Sequence, residues 1–108
     1  MRVYVLSTCD TCRKALKALK NAGHTPEIRD VRADGLTPDE IAEILDRFGD
    51  AAINRASTTW RGLTAAERER PPETLLAAHP TLLKRPVIVD GETWTIGWKA
   101  DAQAAHLG

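Results

Sequence analysis

No stretch of this sequence stays apolar for long. The strongest runs, Val3 to Leu6 and Val87 to Val89, are far too short to cross a bilayer, so no membrane partner is expected. Net charge is missing as well. Fifteen Lys and Arg balance fifteen Asp and Glu, which leaves no global field to hold a polyanion, so nucleic acid is not an expected partner. Cysteine is scarce, and the only two, Cys9 and Cys12, share one C-x-x-C element. The opening Met1-Arg2-Val3-Tyr4-Val5-Leu6 has one positive charge and no small-residue cleavage site, so it reads as a strand rather than a secretory signal, and the protein is expected in the cytoplasm. In that setting a C-x-x-C pair is redox-active or metal-binding before it is a structural staple. No Gly-rich phosphate loop occurs, and His24, His79 and His106 lack the paired spacing that would complete a four-ligand zinc site. Neither a bound cofactor nor a metal is expected.

What is present is a globular balance of 43% apolar and 28% charged residues in 108 positions, without internal repeat or low-complexity linker. The length suits a single domain over residues 1–108, and a monomer is the expectation.

Val3 to Leu6 reads as a first strand running into Ser7-Thr8, which can cap a helix. From Cys12 onward Ala15, Leu16, Leu19 and Ala22 fall at helical spacing, with Arg13, Lys14, Lys17 and Lys20 on the other side and Gly23 as the stop. Pro26 to Val31 reads as a second strand. Thr37 and Glu40 form a capping box with Pro38 at the first helical position, Ile41, Ile44, Leu45 and Phe48 supply the buried stripe, and Gly49 ends that helix. Residues 51–80 offer no good strand. They hold a second capping box, Thr64 and Glu67, a Pro71-Pro72 break and a short helical stretch around Leu75 and Leu76. Val87-Ile88-Val89, an Asp90-Gly91 turn and Thr93 to Ile96 make a hairpin, and a last helix covers Lys99 to His106. The order β-α-β, helices, β-β-α predicts an α/β fold with a mixed four-stranded sheet, interrupted by a helical insertion over about residues 37–80.

A cysteine attacks as its thiolate, and an ordinary thiol, with a pKa of about 8.5, is mostly protonated at neutral pH. Cys9 lies where the first strand hands over to the first helix. Unpaired N–H groups and the positive end of the helix dipole therefore face its sulfur and favour ionisation. Cys12, three residues on, has two open readings: a resolving thiol that attacks a mixed disulfide at Cys9, or a small apolar filler in line with Ala15, Leu16 and Leu19. Pro86 stands at the entrance to a buried strand, where its missing N–H removes a ladder bond. Only about 5–6% of X-Pro bonds in folded proteins are cis, so the residues alone predict trans.

Three segments taken together, Ser7-Thr8-Cys9-Asp10-Thr11-Cys12-Arg13-Lys14-Ala15, Asn54-Arg55-Ala56-Ser57-Thr58-Thr59-Trp60-Arg61 and Lys84-Arg85-Pro86-Val87-Ile88, resemble the ArsC/Spx family of arsenate reductase-like proteins, and its YffB-type branch most. Asp30-Val31-Arg32 and Ile96-Gly97-Trp98-Lys99 fit the same order. The resemblance implies a thioredoxin-like fold, a cis bond at Pro86, and Cys9 as nucleophile. It also implies that Arg61 and Arg85 frame an anion site and that the backbone at Pro86 pairs with an extended glutathione or peptide. A guanidinium fork suits a tetrahedral oxyanion or a carboxylate and lowers the pKa of a nearby thiol. Lys99 stands where arsenate reductases carry a third arginine; it supplies charge without a bidentate fork, which favours thiol chemistry over arsenate turnover. The implied activity is a glutathione-dependent thiol reductase acting on a small thiol or oxyanion, with glutathione or a glutaredoxin-like donor as partner. Spx-type members imply a different role, a redox-sensing regulator that binds RNA polymerase.

Overall fold

A computed structural model describes residues 1–107. In chain order the elements are β1 (Arg2–Val5), α1 (Asp10–Asn21), β2 (Glu27–Asp30), α2 (Pro38–Phe48), α3 (Thr58–Arg61), α4 (Ala65–Arg68), α5 (Pro72–Ala78), β3 (Val87–Asp90), β4 (Thr93–Ile96) and α6 (Ala100–Leu107), with 3₁₀ turns at Gly49–Ala52 and Pro80–Leu82. They group into two compact units: Met1–Val31 with the segment from Arg85 onward, and Arg32–Lys84.

The first unit holds the whole sheet, in the order β2-β1-β3-β4. β1 and β2 run parallel, with Val3 opposite Ile28, whereas β1–β3 and β3–β4 are antiparallel, with Val3 opposite Ile88 and Val87 opposite Ile96. This is the mixed sheet of a thioredoxin-like α/β fold. The central strands are apolar at nearly every position because side chains on both of their faces are buried: Val3 and Ile88 on one, Tyr4 and Val87 on the other. Edge strand β2, by contrast, leaves Glu27 and Ile28 exposed.

The phase of α1 follows from the sheet face it covers. Cys12, Ala15 and Leu19 are buried at helical spacing, and Cys12 and Leu19 pack with Val3, Val5 and Ile88 in one apolar cluster. The helix stops in a Schellman arrangement, in which Gly23 N–H bonds to Lys20 C=O and His24 N–H to Leu19 C=O. Gly23, at φ 93°, supplies the left-handed residue this requires.

The second unit is helical. The capping box of α2 is present in both directions, with Thr37 N–H to Glu40 Oε1 at 2.9 Å and Glu40 N–H to Thr37 Oγ1 at 3.1 Å. Ile41 and Ile44 of α2 and Leu75 and Leu76 of α5 are buried, and these two helices pack together. The expected box at Thr64 and Glu67 opens α4, while Ser57 caps α3 without a sequence signal that singled it out.

Several boundaries differ from the sequence expectation, and β2 is Glu27–Asp30, one residue shorter at each end than Pro26 to Val31. β1 is Arg2–Val5, so Leu6 already belongs to the turn. Asp90 closes β3 opposite Thr93, which makes Gly91-Glu92 the two-residue loop, and Gly91 has φ 60° at the position where a type II′ hairpin turn calls for glycine. α6 starts at Ala100 rather than Lys99.

Candidate functional site at the start of the first helix

The turn between β1 and α1 brings a sulfur to the mouth of a helix. Cys9 N–H bonds to Leu6 C=O at 2.9 Å, which closes the turn, and Asp30 at the end of β2 accepts Ser7 N–H at 3.2 Å, which ties it to the sheet. The sequence assigns the cap to Ser7-Thr8. The structure gives it to Cys9, whose backbone is extended (φ −91°, ψ 114°) and whose Sγ accepts Cys12 N–H at 3.4 Å. Sulfur thus takes the acceptor role that oxygen plays in common caps, meeting a donor the helix cannot satisfy internally. An anionic sulfur there also lies against the positive end of the helix dipole.

Both cysteines are free, but their surroundings differ. Cys9 is partly exposed, whereas Cys12 is 1% exposed and sits in the apolar cluster under the sheet. For Cys9, partial burial opposes ionisation and is the largest single influence. Hydrogen bonds from Cys12, and then the charge and hydrogen bond of Arg85, outweigh it and hold the thiol below its ordinary value. For Cys12, burial and then the hydrogen bond it gives to Cys9 push the thiol up to about 12. The pair therefore divides into one ionisable, reachable sulfur and one protonated, enclosed sulfur that donates to it.

Arg85 is half-buried just ahead of β3 and is the cation that acts on Cys9. The next peptide bond, Arg85-Pro86, is cis, as the family resemblance implied and against the trans expectation from the residues alone. Pro86 is buried, and its C=O accepts Gly97 N–H at 2.8 Å, which links the entrance of β3 to the exit of β4. Trp98, in the loop after β4, packs against the cluster that also receives Cys9. Lys99 is exposed, and its C=O accepts Gln103 N–H at the start of α6.

The structure thus brings Cys9, Cys12 and Arg85 together. Arg61 belongs to the second unit, where it ends α3 and donates to Ala56 C=O at 3.0 Å. Arg13, one turn into α1, is exposed and pairs with Asp10 at 2.9 Å. Sequence reasoning missed Asp30 as an anchor of the Cys9 turn. Its signal was an acid ending one strand beside a loop that follows the neighbouring parallel strand. Among the described residues no three His, Cys, Asp or Glu side chains are grouped to hold a metal ion.

Known proteins are similar to this chain along most of its length. An uncharacterized protein of Haemophilus influenzae is 37% identical over 95% of this chain and 96% of its own. The global transcriptional regulator Spx of Listeria innocua is 30% identical over 92% of this chain and 80% of its own. Among solved structures, a protein named YFFB superposes with a TM-score of 0.90 at 30% identity, covering 99% of this chain and 98% of that one. An arsenate reductase-related protein from Brucella melitensis superposes at 0.73 with 29% identity, over 95% and 89% of the two chains. The ArsC family pattern matches residues 4–105, and the chain belongs to the ArsC family.

Proposed function

We propose that this protein is a thiol–disulfide oxidoreductase that uses Cys9 as nucleophile and glutathione, or a glutaredoxin-like donor, as reductant. The Cys9 thiolate attacks one sulfur of a small disulfide, forming a mixed disulfide and expelling the other sulfur as a thiolate that takes a proton from water. A donor thiolate then breaks that bond and returns the electron pair to Cys9. The observation that carries the reading is the asymmetry of the pair: a reachable sulfur stabilised as an anion by Cys12, the helix terminus and Arg85. Such chemistry needs reduced cysteines, which suits the cytoplasm.

Arg85 and the backbone at Pro86 receive the substrate beside the sulfur. Arg61 and Lys99 are assigned to substrate on the family resemblance alone. Alanine at either position is expected to raise KM for an anionic substrate and leave the alkylation rate of Cys9 unchanged. Arsenate is a weaker substrate in this reading, because Lys99 replaces a bidentate arginine with a point charge. Reductase activity on the mixed disulfide of glutathione and 2-mercaptoethanol tests the proposal. Cys9→Ser should bring turnover to background, and a variant that keeps turning over would sink it.

A second reading follows from the Spx relatives. There the same pair would act as a redox switch on a regulator that binds RNA polymerase. Pull-down of polymerase subunits with oxidised and reduced protein decides between the two, since the regulator requires redox-dependent association.

A further inference from the structure

The charge of the chain sums to zero, yet α1 does not share that balance. Its twelve residues carry Arg13, Lys14, Lys17 and Lys20 against Asp10 alone. Arg13 is paired with Asp10, while Lys14, Lys17 and Lys20 are exposed and make no ion pair among the described residues. Arg13, Leu16, Lys17, Lys20 and Asn21 line an open depression of about 400 Å³ on this helix.

The spacing of these residues aims the stripe at the reactive sulfur. Counting from Cys9, Arg13, Leu16 and Lys20 come at +4, +7 and +11, the positions that return to one side of a 3.6-residue helix. Cys9 and Leu16 both pack partly against the same apolar cluster, so these two lie along the border between the buried face of the helix and its basic one. At about 1.5 Å per residue the basic stripe extends roughly 16 Å from the sulfur. Partly exposed Leu16 gives it an apolar centre.

We propose that this stripe docks a protein that carries a reactive thiol next to an acidic surface, and that this partner regenerates Cys9. The inference rests on the oxidoreductase reading above and adds a docking surface that selects a protein over a small thiol as its donor. Charge complementarity selects an acidic partner over a basic one. In the discharge step the partner thiolate attacks the outer sulfur of the Cys9 mixed disulfide. The bond between that sulfur and Cys9 Sγ breaks, a disulfide forms between the outer group and the partner, and Cys9 leaves with the electron pair. A lowered thiol pKa makes Cys9 the better leaving group, and enclosed Cys12 leaves this task to a thiol from outside.

The test uses the whole protein with Cys9 converted to its mixed disulfide with 2-mercaptoethanol, an uncharged adduct. Discharge is followed by acid quench and mass spectrometry with two peptide thiols, one cysteine followed by five Gly-Glu pairs or by five Gly-Lys pairs, and with dithiothreitol as neutral thiol. At low ionic strength the acidic peptide should react about tenfold faster than the basic one, and about 0.5 M salt should shrink the ratio towards one. In the double variant Lys17→Glu, Lys20→Glu the preference should vanish or invert, with dithiothreitol acting at the same rate on both proteins. Equal peptide rates on the wild-type protein at low salt overturn the docking proposal, and that measurement needs no variant to fold. A preference that survives charge reversal overturns it too. Failure of Cys9 to form the adduct at all would refute the oxidoreductase reading itself, an outcome distinct from the other two.

Discussion

Cys9 and Cys12 lie three residues apart at the start of α1 and are joined by a hydrogen bond, yet the helix treats them oppositely. Cys9 stands just outside, where its sulfur meets an orphan N–H and the Arg85 guanidinium. Cys12 stands inside, facing Val3, Val5, Leu19 and Ile88. The difference teaches that the surroundings of each sulfur in a C-x-x-C element follow from which residue stands at the cap and which in the core, not from the spacing of the two.

Native-state labelling gives the widest separation. With iodoacetamide at pH 7, Cys9 should react at least about a hundredfold faster than Cys12, because only the thiolate attacks and Cys12 is both enclosed and held near pH 12. Comparable rates would erase the distinction. Stability comes next and should run the other way. Cys12→Ser places a hydroxyl in an apolar cluster and should cost about 1–3 kcal/mol in urea unfolding. Cys9→Ser installs a residue well suited to an N-cap and should cost less than about 0.5 kcal/mol.

Arg85→Ala sharpens the same contrast from the cation's side. It should move the pH midpoint of Cys9 alkylation upward, while burial keeps Cys12 high. A midpoint that stays in place would remove Arg85 from the account of the thiolate. The smallest effect concerns His106, a buried residue of α6 whose Nε2 is 2.8 Å from Thr95 Oγ1 and whose C=O lies 2.8 Å from His24 Nε2. Burial lowers its pKa, with His24 adding to the lowering and Asp90 opposing it. Because the folded value is below the unfolded one of about 6.5, its contribution is fully present above that pH and is lost as pH falls through the folded value. His106→Gln should flatten the stability profile below about pH 6.5, read by urea midpoints across pH.

Much of this was legible in the residues. The apolar phase of α1, the capping boxes at Thr37 and Thr64 and the β3–β4 hairpin all rest on local patterns that the packing reinforces. The place of Cys9 between strand and helix was legible, but its part as the cap itself was not, since serine and threonine beside it are the commoner capping residues and sulfur is a weak acceptor. Arg85 is distant in sequence from the sulfur whose pKa it helps to lower, so only the family pattern pointed to it. Asp30 escaped notice because its role depends on which strand lies beside β1. Asp90 was read as turn because its side chain favours turns, whereas the register with Thr93 keeps it in the strand.

The sheet closes late along the chain. β1 obtains its parallel neighbour β2 from residues 27–30, but its other edge is filled by β3, with Arg2 opposite Val89. On a ribosome the N-terminal strand therefore waits, one edge open, until most of the polypeptide has emerged, and the intervening Arg32–Lys84 segment can build its short-range helices in the meantime. Closing so long a loop costs only slightly more than closing one half its length, about 0.6 kcal/mol per doubling. An interruption of this size in the middle of a sheet is thus a burden on the speed of folding far more than on its final balance.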